Sequence, residues 1–135
     1  MRMFLISAAV TAAILLPLDF LWLRTMRPFY EAQMGAMLLP QPRIVAAIAF
    51  YVVYAGGLAF FAVWPNLAGG SLLKAAGFGA ALGFIAYGTY DATNYATLKD
   101  FPLSVMLVDW TWGTTLSAIS AGAAWLVLSK FAPVN

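Results

Sequence analysis

The chain has 135 residues, 64% of them hydrophobic and only 9% charged, against roughly 25% charged residues in an ordinary soluble domain. Its net charge of +2 comes from seven scattered Lys and Arg residues, which excludes both the basic patch of a nucleic-acid binder and a polybasic lipid-surface run. With no Cys and no His, disulfides, thiolate chemistry, Fe–S clusters and His-ligated metals are excluded too, so chemistry falls to carboxylates, aromatic rings, hydroxyls, amides and backbone.

A single all-α integral membrane domain over residues 1–135 fits this composition, and no cofactor is implied. At about 20 apolar residues per crossing, four spans are expected, at residues 3–23, 44–64, 72–98 and 103–128. Arg2 and the apolar stretch after it imitate a signal peptide. That stretch is too long for one and carries Asp19, so it reads as an uncleaved first span.

The link from Arg24 to Arg43 is long for a bundle loop. Within it Tyr30, Met34, Met37 and Leu38 recur at helical spacing between Pro28 and Pro40, with Glu31 and Gln33 off the stripe. This predicts a short amphipathic interfacial helix, packed on the bundle rim or serving as a lid. Pro65-Asn66 with Gly69-Gly70-Ser71 marks the second loop, and Lys99-Asp100-Phe101-Pro102 the third. Short loops imply antiparallel neighbours, hence an up-down-up-down four-helix bundle. The face holding the first and third loops has Arg24, Arg27, Arg43 and Lys99, against Arg2, Lys74 and Lys130 on the other. That margin points the first loop to the cytoplasm without fixing the orientation.

Asp19, Asp91 and Asp109 all fall inside apolar segments. An ionisable group at such a position costs roughly 2.5 to 3.5 kcal/mol on insertion scales and marks a functional site by default. At the helical rise the three lie roughly 7, 12 and 10 Å in from the same membrane face. Tyr51 and Tyr54 of the second span lie at a comparable distance from Arg43. Tyr87, Asp91, Asn94 and Tyr95 share a face of the third helix, Asp109 and Trp112 one of the fourth, and Asp19 and Trp22 one of the first. These faces are expected to converge on an acidic, aromatic-lined pocket with Tyr90 among its walls. Interhelical polar contacts worth under about 1 kcal/mol each are the plainer alternative. Asp19 could also pair with Arg24 or Arg27. Gly79 and Gly83 form a GxxxG match, which leaves open whether the close packing is internal or between protomers of a homodimer.

The stretch at residues 87–114 contains Tyr90-Asp91, Thr93-Asn94 and Thr97 in a YDxTNxAT pattern, and Asp109 with Trp112-Gly113 as DxxWG; Asp19 lies in PLDFLWL before it. Together these are similar to a family of small bacterial membrane proteins known only as a domain of unknown function. The resemblance covers essentially the whole chain. It implies a four-helix fold in the bacterial inner membrane and supplies no activity.

Three functions follow from the residues. The first is a pocket that binds or transports a small molecule or lipid-like ligand, with proton coupling through Asp91 and Asp109. By analogy only, it resembles the four-helix multidrug transporters, whose acid lies nearer mid-membrane in the first helix. The second is a membrane enzyme acting on a lipid or isoprenoid, with one Asp as general acid and one as base, or with the acids and Asn94 holding Mg²⁺ or Mn²⁺. The third is an accessory subunit of a larger membrane complex. Membrane lipids and the ligand are the expected partners; nucleic acid is not.

Overall fold

The computed structural model describes residues 1–131 and builds them from four helices, α1 (Arg2–Met34), α2 (Ile44–Leu58), α3 (Leu72–Thr97) and α4 (Leu103–Ser129). α2 is prolonged by a wide π turn at Ala59–Val63 and a tight 3₁₀ turn at Trp64–Leu67. No strand occurs among the described residues.

α1 corrects one expectation. The segment predicted as a separate interfacial helix is instead the continuation of α1, which runs unbroken through Pro17 and Pro28 to Met34. Proline removes only one backbone bond, to the carbonyl four residues earlier, and membrane helices tolerate that loss. For Pro28 that carbonyl belongs to Arg24, an exposed residue beyond the apolar stretch. The resulting 33 residues span about 50 Å, so α1 overshoots a bilayer core of about 30 Å. A 3₁₀ turn at Gly35–Met37 ends it.

Three of these helices are long and apolar enough to cross a membrane: α1 with its terminal turn, α2 with its prolongation, and α3. α4, with 27 residues, is also long enough to cross, and several of its small and hydroxyl residues lie on the face it buries. It packs against α1, α3 and the end of α2 and buries nine residues, more than any other helix, including Gly113, Ser117, Ser120 and Gly122.

The α3–α4 hairpin is the tightest pairing, and glycine makes it possible. A Cβ on Gly79 would meet the Ser117 carbonyl oxygen at 2.5 Å, and one on Gly83 would meet the Gly113 carbonyl oxygen at 2.5 Å. The GxxxG stripe is thus used inside the chain. Leu15, Leu58 and Leu116, all fully buried, fill the centre of the bundle with Val63, Ala121 and Ala124.

At one end of the bundle Phe4 of α1 meets Phe60 and Trp64 of the second helix, and the Asn66 carbonyl accepts from the Trp125 indole at 2.8 Å. The opposite end holds the C-terminus of α1, the N-termini of α2 and α4, and the last turns of α3. There Asp100, with φ 61°, turns the chain from α3 into α4.

Candidate functional site

The candidate site lies at that second end. Asp19, 6% exposed, accepts two hydrogen bonds, from the Tyr51 hydroxyl at 2.5 Å and the Trp112 indole at 2.8 Å. One carboxylate therefore joins α1, α2 and α4. The Trp112 ring lies parallel to Trp22, with centroids 4.2 Å apart. Trp22 in turn donates to the Tyr30 hydroxyl at 3.1 Å, and Tyr30 donates to Oδ1 of Asp109 at 2.7 Å. The expected capture of Asp19 by Arg24 or Arg27 does not occur; Arg27 pairs instead with Glu31, one turn along the exposed extension of α1.

Asp109 also lines a cavity of about 360 Å³, together with Phe50 of α2 and Ala86, Tyr87 and Tyr90 of α3. This cavity opens sideways because of how α2 meets α3. Contact between them runs chiefly through the π turn Ala59–Val63, with the Tyr54 and Tyr87 rings edge to face at 5.9 Å. Toward the N-terminus of α2 the two helices part, leaving Phe50 stacked on Tyr54 at 5.3 Å and otherwise exposed. Tyr54, packed against both Phe50 and Tyr87, is buried deeper in the bundle, its hydroxyl bonded to Ser117 Oγ at 2.6 Å. Tyr90 is 61% exposed at the outer rim.

Asp91 is different. It is fully buried, and neither of its oxygens has a hydrogen-bond partner. Among the described residues the single ion pair is Arg27–Glu31, so none of the three membrane acids has a basic partner. Among the same residues no three His, Cys, Asp or Glu side chains are grouped so as to hold a metal ion.

Of the ten residues singled out from the sequence, Asp19, Tyr51 and Trp112 meet in one hydrogen-bonded cluster, Asp109, Tyr87 and Tyr90 line the cavity, and Tyr54 packs its ring against Tyr87. Asp91 is buried in α3 without a partner. Asn94 and Tyr95 do not line the cavity, although the Asn94 side chain lies within reach of the Tyr90 hydroxyl. The Asn94 backbone carbonyl ends α3 by accepting from Leu98 N–H, while Tyr95 is 47% exposed. Reasoning from sequence placed Trp22 on the face of Asp19 but missed Tyr30 and Phe50 as site residues. A signal existed for Tyr30: with α1 read through Pro28, it falls eleven residues after Asp19, on the same face.

Tyr30 also explains why the α1 extension stays on the bundle. Gln33 Oε1 accepts from Ser104 at 2.8 Å, but that contact is exposed, whereas Tyr30 bridges two half-buried groups. Tyr30→Phe is therefore expected to cost about 1 kcal/mol and to loosen residues 24–34. A spin label at position 33 should become more mobile in the variant; unchanged mobility would mean that Tyr30 does not hold the extension.

No curated protein and no solved structure matches this chain. A family profile does, over residues 4–126, a stretch holding every side chain of the cluster and the cavity. The chain belongs to the family described as predicted membrane protein DUF2177, whose function is unknown.

Proposed function

We propose that this chain is a multi-pass protein of the bacterial inner membrane that binds a small molecule or lipid-like ligand in the acidic, aromatic-lined cleft between α2, α3 and α4. The observation that carries this reading is the cavity of about 360 Å³ that places Asp109 behind the rings of Phe50, Tyr87 and Tyr90. A concave, mostly apolar pocket with a few convergent polar groups is the usual form of a small-molecule site. Its opening lies along the side of the bundle, where a ligand can arrive from the bilayer.

Binding at one face is better supported than passage across the membrane. Beyond Tyr54 the bundle is filled by Leu15, Leu58 and Leu116, each fully buried. The enzyme and accessory-subunit readings have less support. A single carboxylate lines the cavity, short of an acid and base pair, and the glycine stripe that could serve a partner subunit is spent against α4.

Ala86 gives the test. It lines the cavity with a small side chain, so Ala86→Phe should fill part of the space while keeping α3 helical. Small molecules released from protein purified in mild detergent are identified by mass spectrometry. The expected result is a species near one per chain in the wild type that is reduced severalfold in the folded variant. An equal yield from both proteins contradicts the proposal.

A further inference from the structure

The cleft has a chemical bias that shape alone does not convey. Asp19 and Asp109 are joined through Trp112, Trp22 and Tyr30, Asp91 is fully buried in α3 one turn after Tyr87, and among the described residues no Lys or Arg pairs with any of the three. Asp19 has both oxygens occupied, but by the neutral donors of Tyr51 and Trp112, which leave its charge uncancelled. Asp109 gives one oxygen to Tyr30 and faces the cavity. Asp91 has two buried oxygens with no donor at all. Uncompensated buried charge is among the costliest arrangements in a protein interior, and acids without a basic partner need protons or a cation to neutralise them.

The walls select what kind of cation. Phe50, Tyr87 and Tyr90 surround the approach to Asp109, and aromatic faces attract ammonium groups, more strongly when desolvated. A hard divalent ion is poorly matched, because it takes six or more oxygen ligands while one carboxylate lines this space. A phosphate or sulfate head would meet the Asp109 carboxylate and no base among the lining residues. A neutral alcohol could accept or donate a hydrogen bond at Asp109 but would leave the charge in place.

We infer that the ligand of this cleft is an amphiphilic organic cation, its ammonium head set against Asp109 between the rings of Tyr87, Tyr90 and Phe50 and its apolar tail directed out between α2 and α3. Asp109 makes the contact. Asp91 and Asp19 act on the head at longer range through charge. This rests on the binding reading above and narrows it to one ligand class.

The experiment uses the full chain in phosphatidylcholine nanodiscs, titrated with decyltrimethylammonium, 1-decanol or decyl sulfate, with empty nanodiscs to subtract partitioning into lipid. The ammonium is expected to bind saturably near one per chain, roughly 10- to 100-fold tighter than the alcohol, and the sulfate not at all. Asp109→Asn should abolish that preference, Asp109→Glu should keep part of it, and Asp91→Asn should weaken it severalfold, since it removes charge without contact. Tyr90→Leu, at an exposed position that tolerates change without loss of fold, should also weaken the ammonium and not the alcohol. Circular dichroism and size-exclusion chromatography check each variant for folding. Saturable binding of the alcohol or the sulfate as tight as the ammonium, or an ammonium preference that survives Asp109→Asn, overturns the cation assignment and leaves the binding reading standing. If none of the three probes binds saturably, both fail.

Discussion

Gly113→Ala is expected to destabilise the bundle by about 1–3 kcal/mol, the usual cost of overpacking a filled interior, and to disturb the cleft at the same time. The Cβ of the new residue would fall into the Tyr87 ring itself, at Cγ and both Cδ atoms. Cγ is the part of the ring nearest the backbone, so Tyr87 must change rotamer or α3 must move away from α4. Tyr87 is also a wall of the cavity and the edge-to-face partner of Tyr54. Stability and site geometry are thus linked through one missing methyl group. Thermal unfolding in detergent measures the first effect, and retention of the bound species measures the second. Gly77→Ala is the control, since nothing lies within 4 Å of its Cβ position. That substitution should be neutral or stabilise α3 by up to about 1 kcal/mol, the helix propensity difference. Equal losses at Gly77 and Gly113 would mean that the close contact with Tyr87 is not the cause.

The second large effect is expected at Asp19, where one substitution removes the acceptor and the other keeps its shape without the charge. Asp19→Ala leaves the Tyr51 hydroxyl and the Trp112 indole without their acceptor. An orphaned buried donor costs about 1–3 kcal/mol, although interhelical hydrogen bonds measured in membranes average nearer 0.6 kcal/mol. A total loss of about 2 kcal/mol is expected, with the Trp22–Trp112 stack loosened. Asp19→Asn should recover most of it. The indole N–H can only donate, so the amide oxygen turns to Trp112, and the amide nitrogen donates to Tyr51, whose hydroxyl accepts as well as donates. Near-wild-type unfolding for Asn with a clear loss for Ala is the predicted pattern. If both variants unfold alike and early, the charge of Asp19, rather than its two hydrogen bonds, stabilises the bundle.

The helices were largely legible because the signals that delimit them are local. α2 begins at Ile44, α3 at Leu72 and α4 at Leu103, each where an apolar run follows Arg, Ser or Pro, and Ser71 Oγ accepts from Lys74 N–H at 3.2 Å as the cap of α3. Pro28 was misleading for a physical reason. Proline usually ends a helix, and sequence does not reveal that the carbonyl it strips, that of Arg24, lies where its loss is tolerated. That misreading hid Tyr30, which the continuous helix carries back to Asp109. Asp19 and Asp109, which counting residues from the membrane edge sets at similar depth, are linked through Trp112, Trp22 and Tyr30. What counting could not supply was rotation about α3. Tyr90 and Asp91 are adjacent, yet one is 61% exposed and the other fully buried. The rotation is set by where Gly79, Gly83 and Gly88 dock on α4, a pairing between elements that periodicity within one helix does not contain.

To bind as proposed, a ligand must reach Asp109 through the opening between α2 and α3. Photo-crosslinking tests this most directly, with a diazirine-bearing alkylammonium added to the protein in nanodiscs and the adducts located by peptide mass spectrometry. Saturable labelling concentrated on Phe50, Tyr87 and Tyr90, and competed away by unlabelled decyltrimethylammonium, is the predicted result. Labelling that does not saturate and spreads over the lipid-facing surface, or that centres on the separate groove beside Trp22, Leu107 and Val108, would contradict it.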